Sequence, residues 1–170
     1  MKTNIISEDI LTLEELSLNS WPALQEIHHR GWIIRLADEY SRRSNSVWPL
    51  YGSSNDLEEK VRKCESIYRA HHQRSFFRMT SDESMSDLDL LLERLGYERV
   101  TTVIVQTLDI SDFQDDSDNS EIILSHKLTD SWSDSVAEFV GLGDGKAAYH
   151  AILNNITFPI GLVSVKHDGM

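Results

Sequence analysis

Cysteine is nearly absent: Cys64 is the only one in 170 residues, so no internal disulfide can form and nothing calls for an oxidising compartment. Basic charge is scarce as well. The chain has 16 Lys and Arg against 28 Asp and Glu, net −12, which disfavours a nucleic-acid backbone or an anionic membrane surface as the main partner. No window approaches the ~20 apolar residues of a membrane span. The start, Met1 to Asp9, turns acidic before any apolar stretch of signal-peptide length. Metal-site patterns are missing too. His28-His29 and His71-His72 are adjacent pairs without a histidine–glutamate helix motif, and neighbours on a strand face opposite sides. The Ser and Asp run at 111–120 lacks the glycine and terminal glutamate of a calcium loop. These absences predict a cytoplasmic protein with no metal, no nucleic acid and no membrane among its partners.

What is present is enough chain to bury roughly 70% of its unfolded surface, with charge spread unevenly along it. Residues 1–110 carry 13 basic and 18 acidic groups, and residues 111–170 carry 3 and 10. The groups able to meet a phosphate or carboxylate therefore lie mainly in the first part. Thr12 with Glu15 three residues on makes a capping-box signal for a short helix that Pro22 stops. From Leu24 to Leu50 the pattern predicts two or three antiparallel strands: Gly31 sits at a turn, and Trp32, Ile34 and Leu36 alternate with Ile33, Arg35 and Ala37.

Asn55 and Glu58 repeat the capping-box signal, and Leu57, Val61, Cys64 and Tyr68 follow at helical spacing, which predicts a helix over Asn55 to His71. Phe76 to Met79 reads as a short strand. Ser86 is placed to cap a helix with the stripe Leu88, Leu91, Leu92 and Leu95, ended by Gly96. Val100 to Leu108 has the strongest strand composition in the chain. Residues 111–120 are polar, acidic and aperiodic, as in a linker. Beyond them come a strand at Ile122 to Ser125, two helices joined at Gly141 to Gly145, and a strand from Phe158 to Lys166. His167-Asp168-Gly169 reads as a hairpin turn with no returning strand.

Three stretches carry a family resemblance: Trp21-Pro22-Ala23-Leu24, Gly31-Trp32-Ile33-Ile34-Arg35-Leu36-Ala37, and Tyr40-Ser41-Arg42-Arg43-Ser44-Asn45-Ser46-Val47. Together they resemble the signature of bacterial tandem-GNAT acetyltransferases, in which a GNAT-like first half precedes the acetyltransferase half. Leu92 to Glu98 is similar to the late helix of that fold, which ends in leucine-glycine-aromatic. The resemblance implies an α+β fold, a mostly antiparallel sheet flanked by helices. It divides the chain into a degenerate GNAT-like domain at 1–110, the acidic linker at 111–120, and an incomplete second GNAT unit at 121–170. It also implies acetyl transfer from acetyl-CoA to a small-molecule or peptide amine.

Two departures bear on that expectation. Asp38-Glu39 stand where the signature has a glycine before the tyrosine, so that turn must take another conformation. The acetyl-CoA loop of the family is glycine-rich, because backbone N–H groups must approach the pyrophosphate. The matching stretch here is Tyr51-Gly52-Ser53-Ser54-Asn55, with one glycine and no leading arginine. In the second unit the loop would lie beyond Met170. The expectation is weak acetyl-CoA binding by this chain, with no assignable catalytic residue. A non-catalytic ligand-binding or interaction module with GNAT topology is the rival.

For substrate binding the candidates are Trp32, Arg35, Arg43, Asn45 and Arg78, polar and aromatic groups on or beside predicted strands that could hold a carboxylate or phosphate. The competing reading is structural: arginines paired with Glu14, Glu15 or Glu26, and Asn45 fixing a turn. Cys64 falls on the apolar stripe of its helix and reads as a buried small hydrophobe. The second segment carries more apolar side chains than two strands and two helices can enclose, so it needs cover from the first half or from another chain. Its last strand has an open edge, through which a homodimer could form.

Overall fold

The computed structural model describes residues 7–52, 55–112 and 121–166. Helix α1 spans Glu8–Ser20, followed by strands β1, Gln25–His29, β2, Trp32–Leu36, and β3, Val47–Trp48. The three form one antiparallel sheet in the order β1-β2-β3. Arg30 and Gly31 join β1 to β2 with φ of 47° and 86°, the pattern of a type I′ turn, which matches the twist of the strands it connects. The register from Gln25 opposite Leu36 to His29 opposite Trp32 is continuous. Trp32, Ile34 and Leu36 therefore lie on one face of β2, and Ile33, Arg35 and Ala37 on the other. Every residue of β2 is buried, because both faces are covered.

Helix α2, Leu57–Ala70, covers the first face. Its Lys60 Nζ lies 5.4 Å from the Trp32 ring centre, and Val61, Cys64 and Tyr68 are buried in the same core as β2. Helix α1 covers the second face, where the Arg35 side chain bonds the carbonyls of Leu18 and Trp21. A 3₁₀ turn at Glu83–Met85 runs into helix α3, Ser86–Arg94, whose Leu88, Leu91 and Leu92 join the core. Each such side chain, fully buried, contributes roughly 1.5–3 kcal/mol before entropy is counted.

Several helix starts differ from their sequence signals. Helix α1 begins at Glu8, four residues ahead of Thr12, whose Oγ1 donates to the Glu8 carbonyl from inside the helix. Helix α2 begins after Asp56, which has φ 58°, and no side chain caps it, so the Asn55–Glu58 box is not made. Ser86 is inside a turn already started by Asp82, whose carboxylate accepts from the Ser84 and Ser7 backbone N–H groups. The Ser84 hydroxyl first, and then the Ser7 and Ser84 backbone N–H groups, hold its pKa below the ordinary value. Asp38 and Glu39 both take positive φ, 49° and 54°, which is how the turn does without its glycine.

The strand expected over Val100 to Leu108 is absent. Those residues are extended but exposed, Val103 at 70% and Ile104 at 82%. β-branched composition favours a strand only where a neighbour offers a ladder, and among the described residues none does. Phe76 to Met79 makes a single parallel bridge, Phe77 to Val47, with Val47 N–H donating to Phe76 O and Arg78 N–H to Val47 O.

Beyond residue 120 come β4, Glu121–Ser125, α4, Asp130–Phe139, a 3₁₀ turn at Gly143–Gly145, α5, Lys146–Asn154, and β5, Leu162–Lys166. β4 and β5 pair antiparallel. The fold is thus mixed α and β with small antiparallel sheets. The linker core at 113–120, the turn at His167 to Gly169, and Ser53 and Ser54 lie outside the described residues.

This segment does rest on the first half. Ala137, Tyr149 and Leu153 pack with Trp21 and Tyr40, and the rings of Trp21, Tyr40 and Tyr149 stand 6.2–6.4 Å apart pairwise, a range in which aromatic pairs attract. Asn155 Nδ2 donates to Ala23 O at 3.2 Å.

Candidate functional site

Arg35 is 0% exposed, and its guanidinium is committed within the fold. Nε donates to Glu26 at 3.0 Å, Nη1 to Arg43 O at 2.8 Å, and Nη2 to Trp21 O at 2.6 Å and Leu18 O at 3.4 Å. One side chain thus ties the end of α1, β1 and the loop before β3. Burial pulls its pKa below the ordinary arginine value while Glu26 pulls it back. Arg78 makes a two-pronged pair with the buried carboxylate of Glu14, Nη2 to Oε1 at 2.8 Å. Both guanidinium carbons approach the Trp48 ring, Arg78 at 4.5 Å and Arg35 at 5.2 Å.

Trp32 stays apart from that pair. β2 has no bulge, so Trp32 faces α2 and meets Phe77 edge-on at 6.1 Å. Arg43 reaches Arg35 through its carbonyl, while its own side chain is exposed. The structure therefore brings Arg35, Arg43 and Arg78 to one side of the sheet and leaves Trp32 on the other.

Asn45 is 1% exposed and holds the Asp38–Glu39 turn: its Oδ1 accepts from Ala37 N–H at 2.8 Å and Glu39 N–H at 3.3 Å. Two backbone donors on one atom identify that atom as the oxygen. The other end, Nδ2, is buried and has no hydrogen-bond partner among the described residues. A buried unpaired donor costs about 1–3 kcal/mol. Asn45 lines a cleft of about 350 Å³ together with Glu39, Tyr40, Arg42, Arg74 and Phe76. Arg42 and Arg74 lie over the Phe76 ring at 5.8 and 5.3 Å. Sequence reasoning quoted Arg42 only as part of a signature and missed Arg74 and Phe76. No signal could have joined them to Asn45, because helix α2 intervenes.

The stretch matched to an acetyl-CoA loop is used differently. A Cβ on Gly52 would stand 2.6 Å from Arg30 O, and one on Gly31 would stand 2.2 Å from Tyr51 O. Gly52 is therefore small so that the β1–β2 turn can pack against it. The N-terminus of α2 carries Asp56, Glu58 and Glu59, and the nearby Arg30 is paired with Glu59 at 3.2 Å. Three carboxylates oppose a pyrophosphate where the helix dipole would otherwise attract one. These residues do not fit the phosphates of acetyl-CoA.

Burial pushes the Cys64 thiol up to about 12, which disfavours the thiolate that a nucleophile needs. Tyr68, also raised by burial, donates to Arg35 O at 2.8 Å. Among the described residues no group of histidines, cysteines and carboxylates could hold a metal, and no helix is long and apolar enough to cross a membrane.

The described residues thus form an α+β frame, a sheet covered on both faces by helices, with an arginine-rimmed cleft at one end of β3. Residues 7–153 match the family described as "Probable histone acetyltransferase Rv0428c C-terminal", and the chain belongs to it. Neither the curated proteins nor the solved structures contain a match.

Proposed function

We propose that this chain is an N-acetyltransferase of the GNAT superfamily, of the bacterial tandem type, working in the cytoplasm on a small-molecule or peptide amine. Residues 1–110 form the degenerate first unit and shape the acceptor site, with Asn45 lining its cleft, Arg43 beside it, and Arg35 and Arg78 holding the surrounding loops in place, while Trp32 packs on the opposite face of the sheet. Residues 121–170 open the second unit. The observation that carries this reading is the family match, which runs from α1 through α5 and so spans both segments.

The rival reading, a ligand-binding module without catalysis, is favoured by the acidic first turn of α2 and by Gly52. Calorimetric titration is expected to show no micromolar binding of acetyl-CoA by this chain. Micromolar affinity or better would overturn our account of residues 51–59. Release of CoA thiol in the presence of millimolar acetyl-CoA and a lysine-bearing peptide would support transfer. Its absence from folded protein would favour the module.

We also propose self-association through the edge of β5 that no strand among the described residues pairs. Ile122, Leu124, Val163 and Val165 share one face of the β4–β5 pair and are 54–61% exposed, an uncharged surface on an acidic chain. Sedimentation velocity over a concentration series is expected to show dimer, reduced by Val165→Lys. A monomer at every concentration would remove this part of the proposal.

A further inference from the structure

We infer that the cleft beside Asn45 is a binding site for a small organic carboxylate, received by Asn45 Nδ2 and the guanidinium groups of Arg42 and Arg74. This goes beyond acetyl transfer and stands whether or not the chain performs it.

The first argument is the orphan donor. Asn45 is 99% buried in the sense that only 1% of it is exposed, and both N–H groups that meet its amide take the oxygen. The Nδ2 end is fixed in orientation and has no acceptor among the described residues. A ligand oxygen that reached this amide, after a small shift of the cleft wall now covering it, would satisfy a donor the fold leaves unpaired.

The second argument is charge. Among the described residues Arg42 has no carboxylate partner within ion-pair distance. Arg74 has only Glu39, at 3.8 Å, and that carboxylate already accepts the Arg74 backbone N–H at 3.0 Å. Two guanidinium groups against one carboxylate leave the cleft with one net positive charge inside a chain of net −12. One positive charge matches a carboxylate, and a phosphate dianion would be left in excess beside Glu39.

The third argument is shape. Phe76 and Tyr40 line the cleft alongside the charged groups, and a volume of about 350 Å³ is at the small end of ligand pockets. The exposed lining is mostly polar and the two guanidinium groups lie over the Phe76 ring, so the cleft suits a small carboxylate held mainly by its charge.

The test is an NMR titration of the full chain with sodium benzoate at constant ionic strength, following the Asn45 side-chain NH₂ pair and the arginine Nε–H signals. Saturable shifts of the Asn45 pair are expected. Arg42→Gln and Arg74→Gln, both at exposed positions, should each weaken binding about tenfold, the loss of one charge-assisted bond. Asn45→Asp keeps the oxygen that holds the turn and replaces the donor, so saturable shifts of the Arg42 and Arg74 Nε–H signals should be lost while the backbone spectrum is retained. If Asn45→Asp fails to fold, the two arginine variants decide the matter alone. Shifts no larger than those from chloride, or shifts unchanged in both arginine variants, would overturn the site. Inorganic phosphate binding as tightly as benzoate would overturn the assignment to carboxylates.

Discussion

Arg35→Met is expected to lower the free energy of unfolding by about 3–5 kcal/mol, the usual cost of removing one partner from a buried ionic network. Methionine fills much of the same volume, so the loss is not mainly a cavity effect. It strands the carbonyls of Trp21 and Arg43 at the ends of bonds now 2.6 and 2.8 Å long, and leaves Glu26 without its cation. Arg35→Lys should recover little, because an ammonium group cannot reach three separated acceptors with a planar fork. Arg43→Ala is the control. Its side chain is exposed and only its backbone carbonyl serves Arg35, so the change should fall within about 0.5 kcal/mol of wild type. Urea unfolding followed by tryptophan fluorescence measures all three. A loss under about 1 kcal/mol for Arg35→Met would show that this web contributes no more than one ordinary hydrogen bond.

Gly31→Ala should cost about 3 kcal/mol, from left-handed strain and from a lost backbone bond together. Gly31 has φ 86°, and its new Cβ would stand 2.2 Å from Tyr51 O, a backbone atom that no rotamer change can move aside. Separating the two also breaks the 2.9 Å bond from Tyr51 N–H to Gly31 O. Gly96→Ala makes the comparison: φ is also 86°, yet nothing lies within 4 Å of its Cβ, so only the conformational part, roughly 1 kcal/mol, should remain. Equal losses at the two positions would mean that the contact with Tyr51 relaxes freely.

The contrast between those two glycines shows what the sequence could and could not say. A glycine between alternating runs announces a turn and one after a helical stripe announces a helix end, and Gly31 and Gly96 stand at both. Which of them packs against residues 51 and 52 depends on how the sheet meets a later loop. The same divide holds elsewhere. Arg35 with Glu26 and Arg78 with Glu14 were among the pairings open from charge alone, because ionic partners on buried strands have few choices. Helix α2 was legible because four apolar residues at helical spacing need only a surface to face. Val100 to Leu108 was misread because strand propensity is a statement about side chains on a pleated surface, and no ladder partner reaches them. The cleft was illegible because Arg74 and Phe76 arrive from beyond α2. The unpaired end of Asn45 is a property of the Ala37–Glu39 turn, and a letter string does not display it.

Tyr40 stands in two places at once: it lines the cleft beside Asn45, and its ring touches Trp21 and Tyr149 where the later segment rests on the earlier one. A side chain with two sets of neighbours cannot be restrained by one without being restrained against the other. A ligand in the proposed cleft and the seating of residues 130–155 would both act on this one ring, and any free energy coupling them would act equally in both directions. A molecule held next to Asn45 would steady helix α5 without touching it, and loosening α5 would be felt in the grip on that molecule.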